Sequence, residues 1–263
     1  MTGAMTRLRM TVGYDGSAFK GFARQPEQRT VAGELARAIS NVCRHDVDIV
    51  CAGRTDSGVH AEGQVIHFEA AAGIDPQSLK RSINRQLSPE IVVRSADVAA
   101  DGFDARRSAK ARSYRYLVLN ADEPDPLLAN VVWHIPDVLD LRTMRAAADA
   151  FLGEHDFSAF CRRPPDHPSG APITRRVLDS SWTSTRLGGE ADNDVLGGEL
   201  LRFDIRATSF CHQMVRSVVA VLVEVGKGRM KPSDVPRLLA SPDRSGAKTP
   251  APPHGLCLMR VDY

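Results

Sequence analysis

DIVCAGRTDSGVHAEGQVIHFE, residues 48–69, sets two apolar runs on either side of a glycine-framed loop. Residues 48–52 predict a strand that ends at the loop. Residues 64–69, with Ile66 and Phe68 on one face, predict the next strand. Upstream, residues 8–14 alternate as a strand, and Asp15-Gly16-Ser17 turns the chain. Thr30 can cap a helix whose Val31, Leu35, Ala38, Ile39 and Val42 recur at helical spacing. Downstream, Asp75-Pro76 opens a helix running to Leu87, and residues 91–98 return as a strand. The resulting β-α-β-β-α-β order is the split arrangement of ferredoxin-like and RNA-recognition folds.

The second half repeats the theme loosely. Residues 113–120 read as a strand and 122–126 as a turn-rich linker. Residues 140–152 read as a helix with Leu141, Met144, Ala148 and Phe151 on one face. Residues 175–185 and 199–207 form a strand pair, joined by a glycine- and acid-rich loop over 187–198. Residues 210–225 make a long apolar helix that should be largely buried. A short helix follows Ser233, and 255–263 closes as a strand. The expected fold is therefore α+β, with two RNA-recognition-like halves whose mostly antiparallel sheets lie side by side. Residues 1–7 read as a flexible tail, 8–108 as the first half and 109–263 as the second.

Composition narrows the function. The chain has 263 residues, 43% hydrophobic and 25% charged, as expected of a globular protein. No window approaches the ~18 apolar residues of a membrane span, and the polar start lacks a signal peptide's apolar core. Five scattered cysteines, Cys43, Cys51, Cys161, Cys211 and Cys257, include no CxxC pair. Neither a zinc knuckle nor a disulfide framework is indicated, and a reducing cytoplasm is the expectation. The net charge is only +2, but it is segregated. Arg81, Arg85, Arg94, Arg106, Arg107, Lys110, Arg112 and Arg115 crowd one stretch, and Arg162, Arg163, Arg175 and Arg176 another. Acidic residues gather at 122–125 and 190–194. One basic face suited to a phosphate backbone is the functional reading, and solvated surface charge is the plain one.

Asp56 is the candidate chemical group. It lies between Gly53 and Gly58, beside Arg54, with no second acid within five positions. A lone carboxylate is badly placed to hold a divalent metal. It is well placed to act alone as nucleophile or base, with Arg54 attracting a polyanion. An Asx-turn role is the structural alternative. His60 and His67 lack a third ligand nearby and read as structural histidines. HExxH, calcium-loop, Walker, GxGxxG and GxSxG patterns are all absent, so no metal or cofactor is expected.

Arg54-Thr55-Asp56-Ser57-Gly58-Val59-His60 resembles the catalytic motif of the TruA family of tRNA pseudouridine synthases. Tyr14-Asp15-Gly16-Ser17 with Phe19 and Gly21 is similar to that family's opening strand and turn. Phe103-Asp104-Ala105-Arg106, Ser108-Ala109 and Arg112-Ser113-Tyr114-Arg115-Tyr116 are similar to its second motif. Residues 153–161, then Phe210 with His212-Gln213-Met214-Val215-Arg216, then Gly255-Leu256-Cys257-Leu258, complete six segments in family order.

The resemblance implies an isomerase that turns uridine into pseudouridine at positions 38, 39 and 40 of the tRNA anticodon stem-loop. It implies a cytoplasmic homodimer with an active-site cleft between the halves, needing no cofactor. Asp56 would attack the uracil or take a proton from the ribose so that the N1–C1′ bond breaks. Tyr114 would stack on the target base and help remove the C5 proton. Arg216 would pair with Asp56, and Arg54 would fill the gap left by the flipped nucleotide. Arg24, His60, Arg106 and Arg112 are further candidate RNA contacts. Phe22, Asp104 and Cys211 depart from the family pattern, which usually has a tryptophan-led run, a histidine and a leucine there. Two other classes fit parts of the sequence. A non-catalytic RNA-binding protein would need an RNP1-like run, which is absent, and a metal-dependent nuclease would need clustered ligands.

Overall fold

The computed structural model describes residues 4–163, 167–168, 170–187, 197–240 and 249–263. The chain divides into two compact units, Met1–Lys110 with Cys257–Tyr263, and Ala111–Leu256. Both mix helices with mostly antiparallel strands.

The first unit runs β1 (Met5–Tyr14), α1 (Val31–Cys43), β2 (Val50–Cys51), β3 (His60–Ala71), α2 (Pro76–Leu87) and β4 (Ile91–Val98). Its strands lie in the order β4-β1-β3-β10, with β2 also on β3 and β10 being Leu256–Asp262. In β1, Leu8, Met10 and Val12 are buried and alternate with Arg7, Arg9 and Thr11, so one face meets the core. α1 buries Val31, Leu35, Ala38 and Ile39. Both helices are capped as their sequences predict: Thr30 accepts from Gly33 N, and Asp75 accepts from Gln77 N and Ser78 N.

Three expectations need correction in this unit. The strand expected at residue 8 begins at Met5, because β3 extends to Ala71 and offers partners to Met5, Thr6 and Arg7. Arg7 is tied further to Glu69 (2.7 Å) and to the Phe103 carbonyl (2.6 Å), so it is no part of a loose tail. The strand expected over 64–69 starts at His60. The last strand, expected in the second half, belongs to the first unit. There Cys257 and Leu258 pair in parallel with His60 and Ala61, and Tyr263 Oη donates to Ala105 O (2.7 Å).

The second unit contains β5 (Ala111–Asn120), β6 (Trp133–Ile135), α3 (Leu141–Asp149), β7 (Gly153–Asp156), β8 (Thr174–Arg186), β9 (Glu199–Ala207), α4 (Met214–Gly226) and α5 (Asp234–Ala240). The strand order is β5-β9-β8-β7, with β6 parallel on β5. Trp182 and Phe203 face each other across β8 and β9, their ring centroids 5.0 Å apart. Phe151, Phe157 and Phe160 form a second aromatic cluster, with centroids 5.3–6.2 Å apart. The short strands β6 and β7 were not expected. Most of the acid-rich 187–198 loop lies outside the described residues.

α4 is nearly all buried, as its apolar sequence demands, but it starts at Met214 rather than 210. Gln213 occupies the left-handed region (φ 66°), and Cys211 is paired with Cys161 in a disulfide across 50 positions. This pairing corrects the expectation of unlinked cysteines. Two residues remote in sequence are brought to a Cα–Cα distance of 5.8 Å, which spacing rules cannot register.

Candidate active site

The Asp56 loop joins β2 to β3 as a turn closed by Val59 N donating to Asp56 O (3.2 Å), with Gly58 left-handed at φ 78°. A glycine is needed at that position, and the sequence supplies one. Asp56 itself is half-buried, while Arg54 and Ser57 are exposed.

The segment 14–22 wraps this turn. Tyr14 Oη and Thr55 Oγ1 share a buried hydrogen bond of 2.8 Å. Phe22 N donates to Thr55 O (3.1 Å), and Ser57 Oγ donates to Phe19 O (3.2 Å). Gly16 lies so close that a Cβ there would run into the Val59 carbonyl. Gly21, at φ 94°, would put a Cβ 3.1 Å from Thr55 O. From the other side, Gln64 on β3 is fully buried. Its Nε2 donates to Gly53 O (2.6 Å), and its Oε1 accepts from Gly53 N (3.4 Å). The loop is thus held at Gly53, Thr55, Asp56 O and Ser57, on both sides of Arg54.

His60, expected among RNA contacts, is 8% exposed, and its Nδ1 accepts from Gly16 N (3.1 Å). It tethers the opening turn to the loop. His67 is likewise structural, its Nδ1 accepting from Ala105 N (3.0 Å). Burial, then the Arg7 charge, hold its pKa below the usual histidine value. No group of three metal-ligating side chains occurs among the described residues.

The second unit carries the other candidates. Tyr114, on β5, is 9% exposed and packs edge-on against Phe210 with centroids 5.0 Å apart. Arg216 is half-buried on the first turn of α4, where its Nε donates to Ala251 O (2.6 Å). Nearby Tyr116 is buried, donates to Pro252 O (2.7 Å), and has its pKa pushed up by burial against the opposing charge of Arg216. Gly255 fits only because it lacks a Cβ, which would stand 2.6 Å from the Tyr116 ring.

Among the remaining candidates, Arg24 and Arg106 are exposed, and Arg112 is partly committed through Nη1 to Thr208 O (2.9 Å). Not every arginine of the basic stretch offers a bare charge. Arg94 pairs with Glu62 (2.7 Å) and Arg115 with Asp204 (2.9 Å). Arg163, in the second cluster, donates to Pro168 O and Ala171 O. The departures from the family pattern are each accommodated. Phe22 is buried 6.1 Å from the Tyr14 ring, and Asp104 accepts from Arg106 N and Arg107 N. The bond from Arg107 N chiefly lowers the Asp104 pKa.

Tyr14 and Gln64 were not singled out as site residues by the sequence. Tyr14 reads there as a strand end and Gln64 as a polar residue opening a strand. Only the fold shows that both reach the Asp56 loop.

Comparison with known proteins matches residues 10–106 and 147–263 to a family model described as tRNA pseudouridine synthase. tRNA pseudouridine synthase A of Pseudothermotoga lettingae is 38% identical over 98% of this chain and 100% of its own length. The Bacillus subtilis enzyme of the same name is 36% identical, over 98% of this chain and 99% of its own. That of Methylacidiphilum infernorum is also 36% identical, over 99% and 96% respectively. Among solved structures, a Cbf5–Nop10–Gar1 complex aligns at 15% identity over 95% of this chain and 48% of that one. Its TM-score of 0.32 is too low to bear on the fold.

Proposed function

The chain belongs to the tRNA pseudouridine synthase family, and from that premise we propose that Asp56 drives the isomerisation of uridine to pseudouridine. The reaction exchanges the N1–C1′ bond for a C5–C1′ bond. The proton lost from C5 is balanced by one gained at N1, so neither an oxidant nor an energy source enters. A carboxylate that attacks the uracil, or takes a proton from the ribose, starts the exchange. The observation that supports Asp56 in this role is its rigid turn, fixed by Val59 N, Tyr14 and Phe22. A group held in advance needs little reorganisation to react.

The substrate under this reading is the tRNA anticodon stem-loop, at uridines 38, 39 and 40. Tyr114 stacks on the flipped base and returns part of the unstacking cost. Arg216 serves as the charge partner of the aspartate, and Arg54 fills the vacated stack. Arg24, Arg106 and Arg112 attract phosphate, whereas His60 supports the loop. The two units act as the RNA-recognition-like halves of one pseudouridine synthase fold, in a cytoplasmic homodimer.

The test is pseudouridine-specific chemical labelling of tRNA incubated with wild type and Asp56→Asn. The expected result is no product from the variant, with tRNA binding retained. Normal product from Asp56→Asn sinks the assignment. For Arg216→Ala, turnover is expected near background with a mild effect on tRNA affinity; wild-type turnover removes Arg216 from the site.

A further inference from the structure

Asp56 and Arg54 flank Thr55, and neither the turn nor its glycines alone can fix where their side chains start. Two buried side chains on neighbouring strands do so. We propose that Tyr14 and Gln64 are positioning residues for the reaction, acting through Thr55 and Gly53. The proposal rests on the reading of Asp56 as the reactive group.

Tyr14 is 5% exposed, Thr55 7% and Gln64 0%. The Tyr14–Thr55 bond (2.8 Å) holds the residue immediately before Asp56. The Gln64 amide grips both the carbonyl and the N–H of Gly53, the residue immediately before Arg54. Tyr14 and Gln64 therefore hold positions 55 and 53, immediately before Asp56 and Arg54.

The strand register makes this arrangement possible. Val12 pairs with Gln64 and Tyr14 with Ala61, so two steps along β1 oppose three along β3. The extra residue is a bulge, a device that re-aims side chains beside active sites. Buried hydroxyl and amide groups are nearly always hydrogen-bonded, and both side chains find partners in the loop. Catalytic geometry is sensitive to displacements of an ångström or less, so loosening either grip should lower turnover more than tRNA affinity.

The experiment measures kcat, KM for tRNA, and thermal melting for Tyr14→Phe, Gln64→Met, Thr55→Val and Thr55→Ser, with Asp56→Asn alongside. Tyr14→Phe removes one oxygen and keeps the ring. It is expected to lower kcat about tenfold while leaving KM nearly unchanged. Thr55→Val should match it, Thr55→Ser should recover turnover, and Tyr14→Phe with Thr55→Val together should be no worse than Thr55→Val alone. Gln64→Met should lower kcat in the same direction. Wild-type kcat in both Tyr14→Phe and Gln64→Met overturns the proposal. So does a loss that merely follows the fraction folded, or additive losses in the double variant. If Asp56→Asn is inactive while Tyr14→Phe and Gln64→Met turn over normally, the positioning proposal falls alone. If Asp56→Asn is active, the underlying reading falls.

Discussion

His67 shows how one buried ring can make stability depend on pH. Its Nδ1 accepts from Ala105 N, so protonating that atom breaks the bond. Burial and Arg7 lower its pKa in the folded chain below the ordinary 6.5. The unfolded chain therefore takes up the proton first as pH falls. Stability contributed by the neutral ring is complete above pH 6.5 and declines below it, until the lower folded-state pKa is reached. Urea melts across this range should show the decline in wild type and a flatter profile in His67→Gln. An unchanged slope would show that another group governs the acid limb.

At the scale of elements, α1 ends on Arg44, an exposed residue held left-handed at φ 59°, whose N–H donates to Ser40 O. Glycine is the residue that this C-terminal geometry favours. Arg44→Gly should stabilise the chain by up to about 1 kcal/mol, since a side chain in that region costs ~1–2 kcal/mol, partly offset by the added freedom of the unfolded glycine. The N-terminal end of the same helix makes the opposite prediction. Thr30 is 1% exposed and caps Gly33 N, so Thr30→Ala should cost about 1 kcal/mol. Denaturant midpoints check both, and a stabilising Thr30→Ala or a destabilising Arg44→Gly would contradict the cap geometry.

For the molecule as a whole, the Cys161–Cys211 pair closes a loop of 50 positions within the second unit. Cross-linking a loop of that length stabilises by on the order of 4 kcal/mol through the unfolded state. Reductant should therefore lower the melting temperature. Thiol titration of the denatured chain should give the three free cysteines, Cys43, Cys51 and Cys257, before reduction, and all five after it. Five thiols without reductant would show that the pair is not joined in solution.

The sequence by itself determined what is local. Strand alternation in 8–14, the helix starts at Thr30 and Asp75, and the glycine that Asp56's turn requires are all written within a few residues of where they act. The Asp56 loop is legible in the same way, because it is one continuous stretch. Only the tertiary structure decided which edge receives the last strand, which cysteines meet, and why a glutamine lies fully buried on β3. These outcomes depend on partners about 10 to nearly 200 residues away. Periodicity records which face of an element is buried, but not what lies against it. The same limit hides the bond between His60 Nδ1 and Gly16 N, on a turn 44 positions away.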